Sequence, residues 1–555
     1  MILLRFREST ATIIGLLTFV VFSWSSLAMG AEPVSPSGAD STVEILGERK
    51  CWHDIVLSIE GPSANQSDSI PNPFIDYAMV ARFRHESGTP DYFVLGYYAA
   101  DGNAASTGAT SGNRWRAHLS PDKAGRWTYE VLFRKGPSVV FDFDGGATWP
   151  PQDGATGTFK VSPSDKPMPD ARAAGRLQYV GKRHLRHVAS GQRFLSFRTD
   201  HAGPKDNTSN TIAVTTFDPA EGDSDRSPLV SLNQRFTYDC AKMDVWNREL
   251  NQATAAGMHI EINLQPSRVA NKADGLDFDT GQPGSLGAER MLYLQQMVAR
   301  FGHHPSLSWH LHADDEPSPD QIRAETTYLR EIDPYRHAIL LHTGADAWPG
   351  MQNALMGDKN AVSGIVLDAN EPHFHRRCVQ AVNASIESGH AWVVTGEVGT
   401  NPSRIPDPRT WRRQLWANLT AGGAGMHVID DRETSGKSFV AAQQIFKAAG
   451  LSFWKMTSAD ELIGNSKHDD RGYVLAQPGD AYLLYLPSPR GCKLNLVDAK
   501  GDFEISWIDP ATGDVIPGGE IVTVEGGKRV DIGSPPKRDP EASDHDWIAI
   551  VRRQS

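Results

Sequence analysis

Three apolar runs in the middle of the chain end in polar or acidic residues. They are Leu307-Ser-Trp-His-Leu-His-Ala-Asp-Asp-Glu316, Ala338-Ile-Leu-Leu-His-Thr343 and Ala391-Trp-Val-Val-Thr-Gly-Glu397. Helical patterns lie between them: Met291, Leu294, Val298 and Phe301 recur at helical spacing, and so do Ile322, Leu329 and Ile332. Strands that alternate with helices predict a parallel sheet, and repetition of the unit predicts a (β/α)8 barrel with its active site at the carboxyl ends of the strands. One helix start is readable. Ser318-Pro-Asp-Gln321 places Ser at the N-cap, Pro at the first helical position and Gln three residues on, so 313–317 is expected to be a short βα loop.

The period changes to two on either side of this region. Tyr77 to Arg84, Tyr92 to Tyr98 and Arg126 to Phe133 read as strands, separated by Asp101-Gly-Asn103, Ser111-Gly-Asn113 and Pro121-Asp122 at sandwich-like spacing. Gly472 to Ala476, Ala481 to Leu486, Phe503 to Ile508 and Trp547 to Val551 read the same way, with hairpin turn chemistry between them. The first 31 residues carry Arg5 and Arg7, an apolar stretch from Ile13 to Trp24, and small residues at Ala28, Gly30 and Ala31. This is the layout of a secretory signal peptide, with an uncleaved anchor as the other reading. The expected organisation is therefore a signal peptide over 1–31, an N-terminal β-sandwich over 43–161, a central TIM-like (β/α)8 barrel over 170–463 and a small C-terminal antiparallel β-sandwich over 466–553. The fold class is multidomain α/β plus β, secreted to an extracellular or periplasmic location.

A chain of 555 residues is too long for one hydrophobic core, which agrees with that division. The net charge of −12, with no basic run, excludes a nucleic-acid footprint. Cysteines at 51, 240, 378 and 492 are too widely spaced for a C-x-x-C motif, and are read as free.

Several passages resemble a group of secreted bacterial glycoside-hydrolase-like proteins. Glu60-Gly-Pro, Pro71-Asn-Pro-Phe-Ile-Asp-Tyr77, Ser111-Gly-Asn-Arg-Trp115 and Gly125-Arg-Trp-Thr-Tyr129 are similar to their N-terminal sandwich. Gly302-His-His-Pro, Asp333-Pro-Tyr and Ala421-Gly-Gly-Ala-Gly425 are similar to their barrel. Phe453-Trp-Lys-Met456 and Trp507-Ile-Asp-Pro-Ala-Thr-Gly513 are similar to its end and to the C-terminal β domain, customarily labelled collagen-binding. The resemblance implies this three-part fold and a carboxylate pair acting on an extracellular polysaccharide, with the acid at the end of the fourth strand and the nucleophile at the end of the seventh. There are departures. Where the family reads Trp-Asn-Leu-Gly-Glu-Glu-Asn, this chain has Trp309-His-Leu-His-Ala-Asp-Asp315; a Glu-rich strand end reads Asn263-Leu-Gln-Pro-Ser-Arg268; and the early barrel from Asn207 to Arg235 looks short.

Glycoside hydrolysis needs a protonated acid and a second carboxylate, about 5 Å apart for retention and roughly 6.5–9.5 Å for inversion. Glu397 takes the nucleophile's position, and a retaining outcome is expected. Asp314 matches the family's acid position but is one methylene short, while Glu316 has the length but stands two residues on; Asp315 lies between them. His310, His312, His342, Trp348 and Asp315 are candidate substrate contacts. Trp309 is read as core, Trp392 and Trp411 either as sugar platforms or as core, and Gly422 to Gly425 as close backbone packing. No cofactor and no metal are expected, although His310 and His312 with Asp314 could imitate a metal site. The reading from another class is a non-catalytic glycan-binding or cell-surface protein that has lost its acid.

Overall fold

The computed structural model describes residues 43–199, 208–217, 227–264, 276, 286–312, 318–343, 348–358, 361–398, 407–428, 434–536 and 545–554. The expected signal peptide and the rim residues 313–317 lie outside the described residues. No helix among those described is long and apolar enough to cross a membrane.

Eight parallel strands form the centre: β1 (Ser196–Thr199), β2 (Thr211–Thr215), β3 (His259–Asn263), β4 (Leu307–His312), β5 (Ala338–Thr343), β6 (Gly364–Asp368), β7 (Val393–Val398) and β8 (Gly425–Val428). They pair in the order β1-β8-β7-β6-β5-β4-β3-β2. Around them run α1 (Cys240–Ala255), α2 (Ala288–Phe301), α3 (Pro319–Ile332), α4 (Trp348–Leu355), α5 (Phe374–Glu387), α6 (Pro408–Thr420) and α7 (Thr434–Ala448). Every strand of the barrel is present. The connection from β1 to β2 spans only residues 200–210, brief for a parallel crossover.

Asn210 closes the seam between β1 and β2. Its side chain accepts from the Phe197 N–H at 2.9 Å and donates to the Leu195 carbonyl at 2.8 Å, and its own N–H donates to the Phe197 carbonyl at 3.1 Å. Gly425 completes the other side of β1, where a Cβ would run into the Ser196 carbonyl. This close backbone approach accounts for the glycine-rich turn before β8.

A hairpin of Leu177–Gln178 with Arg186–His187 plugs the amino-terminal mouth of the barrel. Leu177 and Leu185 pack there on Ala338, Leu340, Val366 and Val393. Those four side chains therefore face inward, and by strand alternation so do His342, Asp368 and Glu397 further along the same strands. The lower interior is apolar and the upper interior is polar.

The N-terminal sandwich has a four-stranded sheet (Val43–Leu46, Ile55–Asn65, Ser111–Leu119, Tyr97–Tyr98) and a five-stranded one built on Tyr77–His85 and Gly125–Lys135. The run from Tyr92 to Tyr98 is not a single strand. Asp91–Leu95 pairs with Tyr77–His85, while Tyr97–Tyr98 crosses to the other sheet. The change occurs at Gly96, where a Cβ would come within 2.7 Å of the Met79 side chain. The C-terminal part has a seven-stranded antiparallel sheet and a two-stranded one, with Trp507, Trp547 and Phe503 in the core between them. Cys51, Cys240, Cys378 and Cys492 are all free thiols.

The Asp333-Pro-Tyr passage bolts the sandwich to the barrel. The Tyr335 hydroxyl donates to the His118 carbonyl at 3.0 Å and accepts from the Ser120 N–H at 2.9 Å. Behind it, Asp333 accepts from Trp309 Nε1 at 3.1 Å, from His337 Nδ1 at 2.9 Å and from the backbone of residues 335 and 337. Burial alone would raise the pKa of Asp333, but His337 and these donors pull it down to about 2. The folded value lies below the unfolded one of ~3.9, so this stabilisation is complete above about pH 4 and is lost as the pH falls toward 2. Asp333→Ala should lower the unfolding free energy by roughly 3–5 kcal/mol at neutral pH, the cost of orphaning a buried partner, as measured by the denaturant midpoint.

Candidate active site

Six inward-facing side chains from six strands meet in the upper barrel: Arg198 (β1), Glu261 (β3), His310 (β4), His342 (β5), Glu397 (β7) and His427 (β8). Strand register brings three of them level, since Arg198 and Glu397 are both partners of His427. Arg198 donates from Nη1 to Glu261 Oε2 and from Nη2 to Glu397 Oε2, each at 2.7 Å. His342 Nδ1 stands 3.7 Å from Glu397 Oε1, and His427 Nδ1 stands 3.9 Å from Oε2. Glu397 keeps 18% of its side chain exposed, against 2% for Glu261. Glu397 is thus the carboxylate of the pair that reaches the mouth.

The same guanidinium leaves the two acids in different states. Burial would raise Glu397, but Arg198, His342 and His427 together hold it well below the usual carboxylate range. For Glu261 burial prevails over Arg198 and its pKa is raised. Burial, with positive neighbours adding to it, pushes His310 and His427 far below the ordinary histidine value, and it lowers His259 to about 3. The site therefore offers one carboxylate held by one cation among hydrogen-bonding imidazole rings.

A chain of hydrogen bonds runs from the mouth toward the apolar floor. His342 Nε2 meets His310 Nδ1 at 2.8 Å; His310 Nε2 meets Ser308 Oγ at 2.9 Å; and Ser308 Oγ meets His259 Nε2 at 2.9 Å. A second branch joins His427 Nε2 to Ser196 Oγ at 3.0 Å, and Ser196 to Thr211 at 2.9 Å.

His310 was expected to contact substrate, and its position corrects that reading. It is fully buried with both ring nitrogens engaged, so it supports His342 from below. Trp309 is core, as expected, and Trp392 and Trp411 are buried too, which removes them as sugar platforms. Asp314, Asp315 and Glu316, and the side chains of His312 and Trp348, lie outside the described residues. The groupings of His, Asp and Glu that could hold a metal among the described residues are Asp54–His118–His303, His375–Asp460–His468 and Glu48–His53–Asp165, and none includes His310.

Sequence reading missed Arg198, Glu261, His427 and Asp368. Asp368 ends β6 as the register partner of Glu397, which places a second carboxylate on the rim. Its Oδ1 accepts from the Asn370 N–H at 2.8 Å.

The fold is similar to that of solved multidomain structures described as glycoside hydrolases. Residues 48–134 match the family described as "Domain of unknown function (DUF5060)". Residues 458–552 match "Putative collagen-binding domain of a collagenase". Among solved structures, one described as a putative glycoside hydrolase from Bacteroides vulgatus aligns over 91% of this chain and 99% of its own, with a TM-score of 0.62 and 16% identity. A family 5 glycoside hydrolase from the same organism aligns over 68% and 94%, with a TM-score of 0.52 and 12% identity. A curated D-inositol 3-phosphate glycosyltransferase from Mycobacterium sp. (strain KMS) is 32% identical over 121 residues, 22% of this chain and 27% of that protein. The chain thus spans about a quarter of the length of that relative.

Removing Arg198 would leave two buried carboxylates facing each other. Arg198→Met should cost roughly 3–5 kcal/mol at pH 7. In the wild type the unfolded chain takes up Glu397's proton first as the pH falls, so the contribution of this ion pair is full above the ordinary glutamate pKa of ~4.3 and fades below it. The deficit of the variant should therefore shrink in acid, which urea unfolding at neutral and acidic pH would measure.

Proposed function

We propose that this is a secreted glycoside hydrolase acting on an extracellular polysaccharide, with Glu397 as nucleophile and Asp314 or Glu316 as general acid. The observation that carries the reading is the placement of Glu397. It ends the seventh strand, is held at 2.7 Å by the Arg198 guanidinium, which lowers its pKa, and is partly open to the mouth. A nucleophile must remain deprotonated while its partner keeps a proton, and a guanidinium on one oxygen achieves this without blocking the other.

In this mechanism the acid from 314–316 protonates the leaving oxygen while Glu397 Oε1 attacks the anomeric carbon. The acid then returns as base to activate water against the glycosyl-enzyme, and the configuration is retained. His342, held by His310, is positioned to hydrogen-bond the sugar bound against Glu397. The leader over 1–31 supports export, and the C-terminal domain would keep the barrel near its polymer.

Glu397→Gln should abolish turnover across a panel of plant and algal glycans while leaving the fold intact. Of Asp314→Asn and Glu316→Gln, the one that removes the true acid should lower kcat by roughly 10²–10⁴-fold on a natural glycan, and by far less on an aryl glycoside whose leaving group needs no proton. If wild-type protein releases no product from any glycan yet retains glycan binding, the non-catalytic reading motivated by Ala313 replaces this one.

A further inference from the structure

Outside the barrel, α5 meets the start of the C-terminal sheet through a buried carboxylate. Asp460 Oδ2 lies 2.7 Å from His375 Nε2 and 2.8 Å from His468 Nδ1, while its Oδ1 accepts from the Val474 N–H at 2.7 Å. The other ring nitrogen of His375, Nδ1, is 2.7 Å from the Ala417 carbonyl. A carbonyl can only accept, so Nδ1 carries a hydrogen, and in a neutral ring Nε2 is then a bare lone pair. That lone pair points at a carboxylate oxygen. The arrangement needs a proton shared between the two atoms, or a metal ion that takes both as ligands from one side.

We propose that His375, Asp460 and His468 form a binding site for a divalent transition metal of the zinc class. The three ligand atoms lie within 4.8 Å of one another, and two imidazoles with one carboxylate are a zinc-type donor set. The two ring nitrogens approach the same oxygen, Asp460 Oδ2, so both rings are aimed at one place. The grouping at Asp54 differs in this respect. There the two rings reach different oxygens, His118 Nδ1 at 2.8 Å from Asp54 Oδ1 and His303 Nε2 at 3.5 Å from Asp54 Oδ2. His375 and Asp460 are each fixed by a partner outside the cluster, the Ala417 carbonyl and the Val474 amide, which is the support that orients metal-binding side chains. His375 and Asp460 are fully buried, whereas the His468 side chain is 25% exposed and leaves a fourth position for water on the solvent side.

Metal binding requires deprotonated ligands, so it displaces any proton shared by the pair and weakens in acid. A bound ion ties α5 of the barrel to the domain that contains Asp460 and His468, and so raises the stability of the folded chain.

The test uses the full chain, purified without a polyhistidine tag, stripped with a chelator and then titrated with Zn²⁺ alone. One equivalent should remain after dialysis, with proton release on binding and an increased Tm. His468→Ala removes the partly exposed ligand and leaves His375 and Asp460 paired, so the variant should fold. It should weaken Zn²⁺ binding by more than the roughly 10–100-fold that loss of a supporting partner costs, and abolish the gain in Tm. Less than stoichiometric Zn²⁺ in the wild type, or unchanged binding and Tm gain in His468→Ala, would show a proton-bridged triad only and overturn the proposal.

Discussion

A single guanidinium between two carboxylates organises the upper barrel. Arg198 can neutralise one negative charge, and the two acids it touches differ in their access to water, so the charge settles on Glu397 and Glu261 is driven toward its protonated form. Everything else in this layer is arranged around that division. His427 and Ser196 approach Glu261 from the side, at 3.2 and 3.3 Å. A second cation there would have evened out the two acids. The asymmetry that makes Glu397 a candidate nucleophile is thus a property of the whole layer.

Barrels of this kind are usually filled with branched apolar side chains, and here only the lower part is. Each polar group above the floor needs a partner, since an unpaired one costs about 1–3 kcal/mol. The serines at 196 and 308 provide this economically, because a hydroxyl can donate and accept at once: Ser308 links His310 to His259, and Ser196 links His427 to Thr211. Packing of this sort ties the ring orientation at the mouth to groups several residues down the strands.

The helices and the barrel class were legible because burial imposes a period on the sequence. The capping box at Ser318 forms as read, with Gln321 accepting from the Ser318 N–H at 2.7 Å. Glu397 stood out because it ends an apolar run. Arg198 did not, since Ser196-Phe-Arg-Thr is too short to carry a period and its partners come from β3 and β7. Glu261 was hidden for a related reason: within His-Ile-Glu-Ile-Asn it looks like the solvent face of an alternating strand, and in a barrel the face opposite the helices points into the interior. Nor does any local signal mark Asn210 as the piece that completes the ring. Its importance follows from the closure of two strands that do not pair directly, which is a long-range property.

The tail sheet is gripped from both sides. Leu475, Leu483, Tyr485, Ile548 and Ile550 join the large core shared by barrel and sandwich, while Leu484, Trp507 and Trp547 build the tail's own core on the opposite face. Arg412 reinforces the first contact through a paired hydrogen bond to Asp546. A module held this way cannot swing on a tether. Whatever surface it grips, the barrel mouth would be carried at one fixed height and angle above it, as a plane iron is set in its stock.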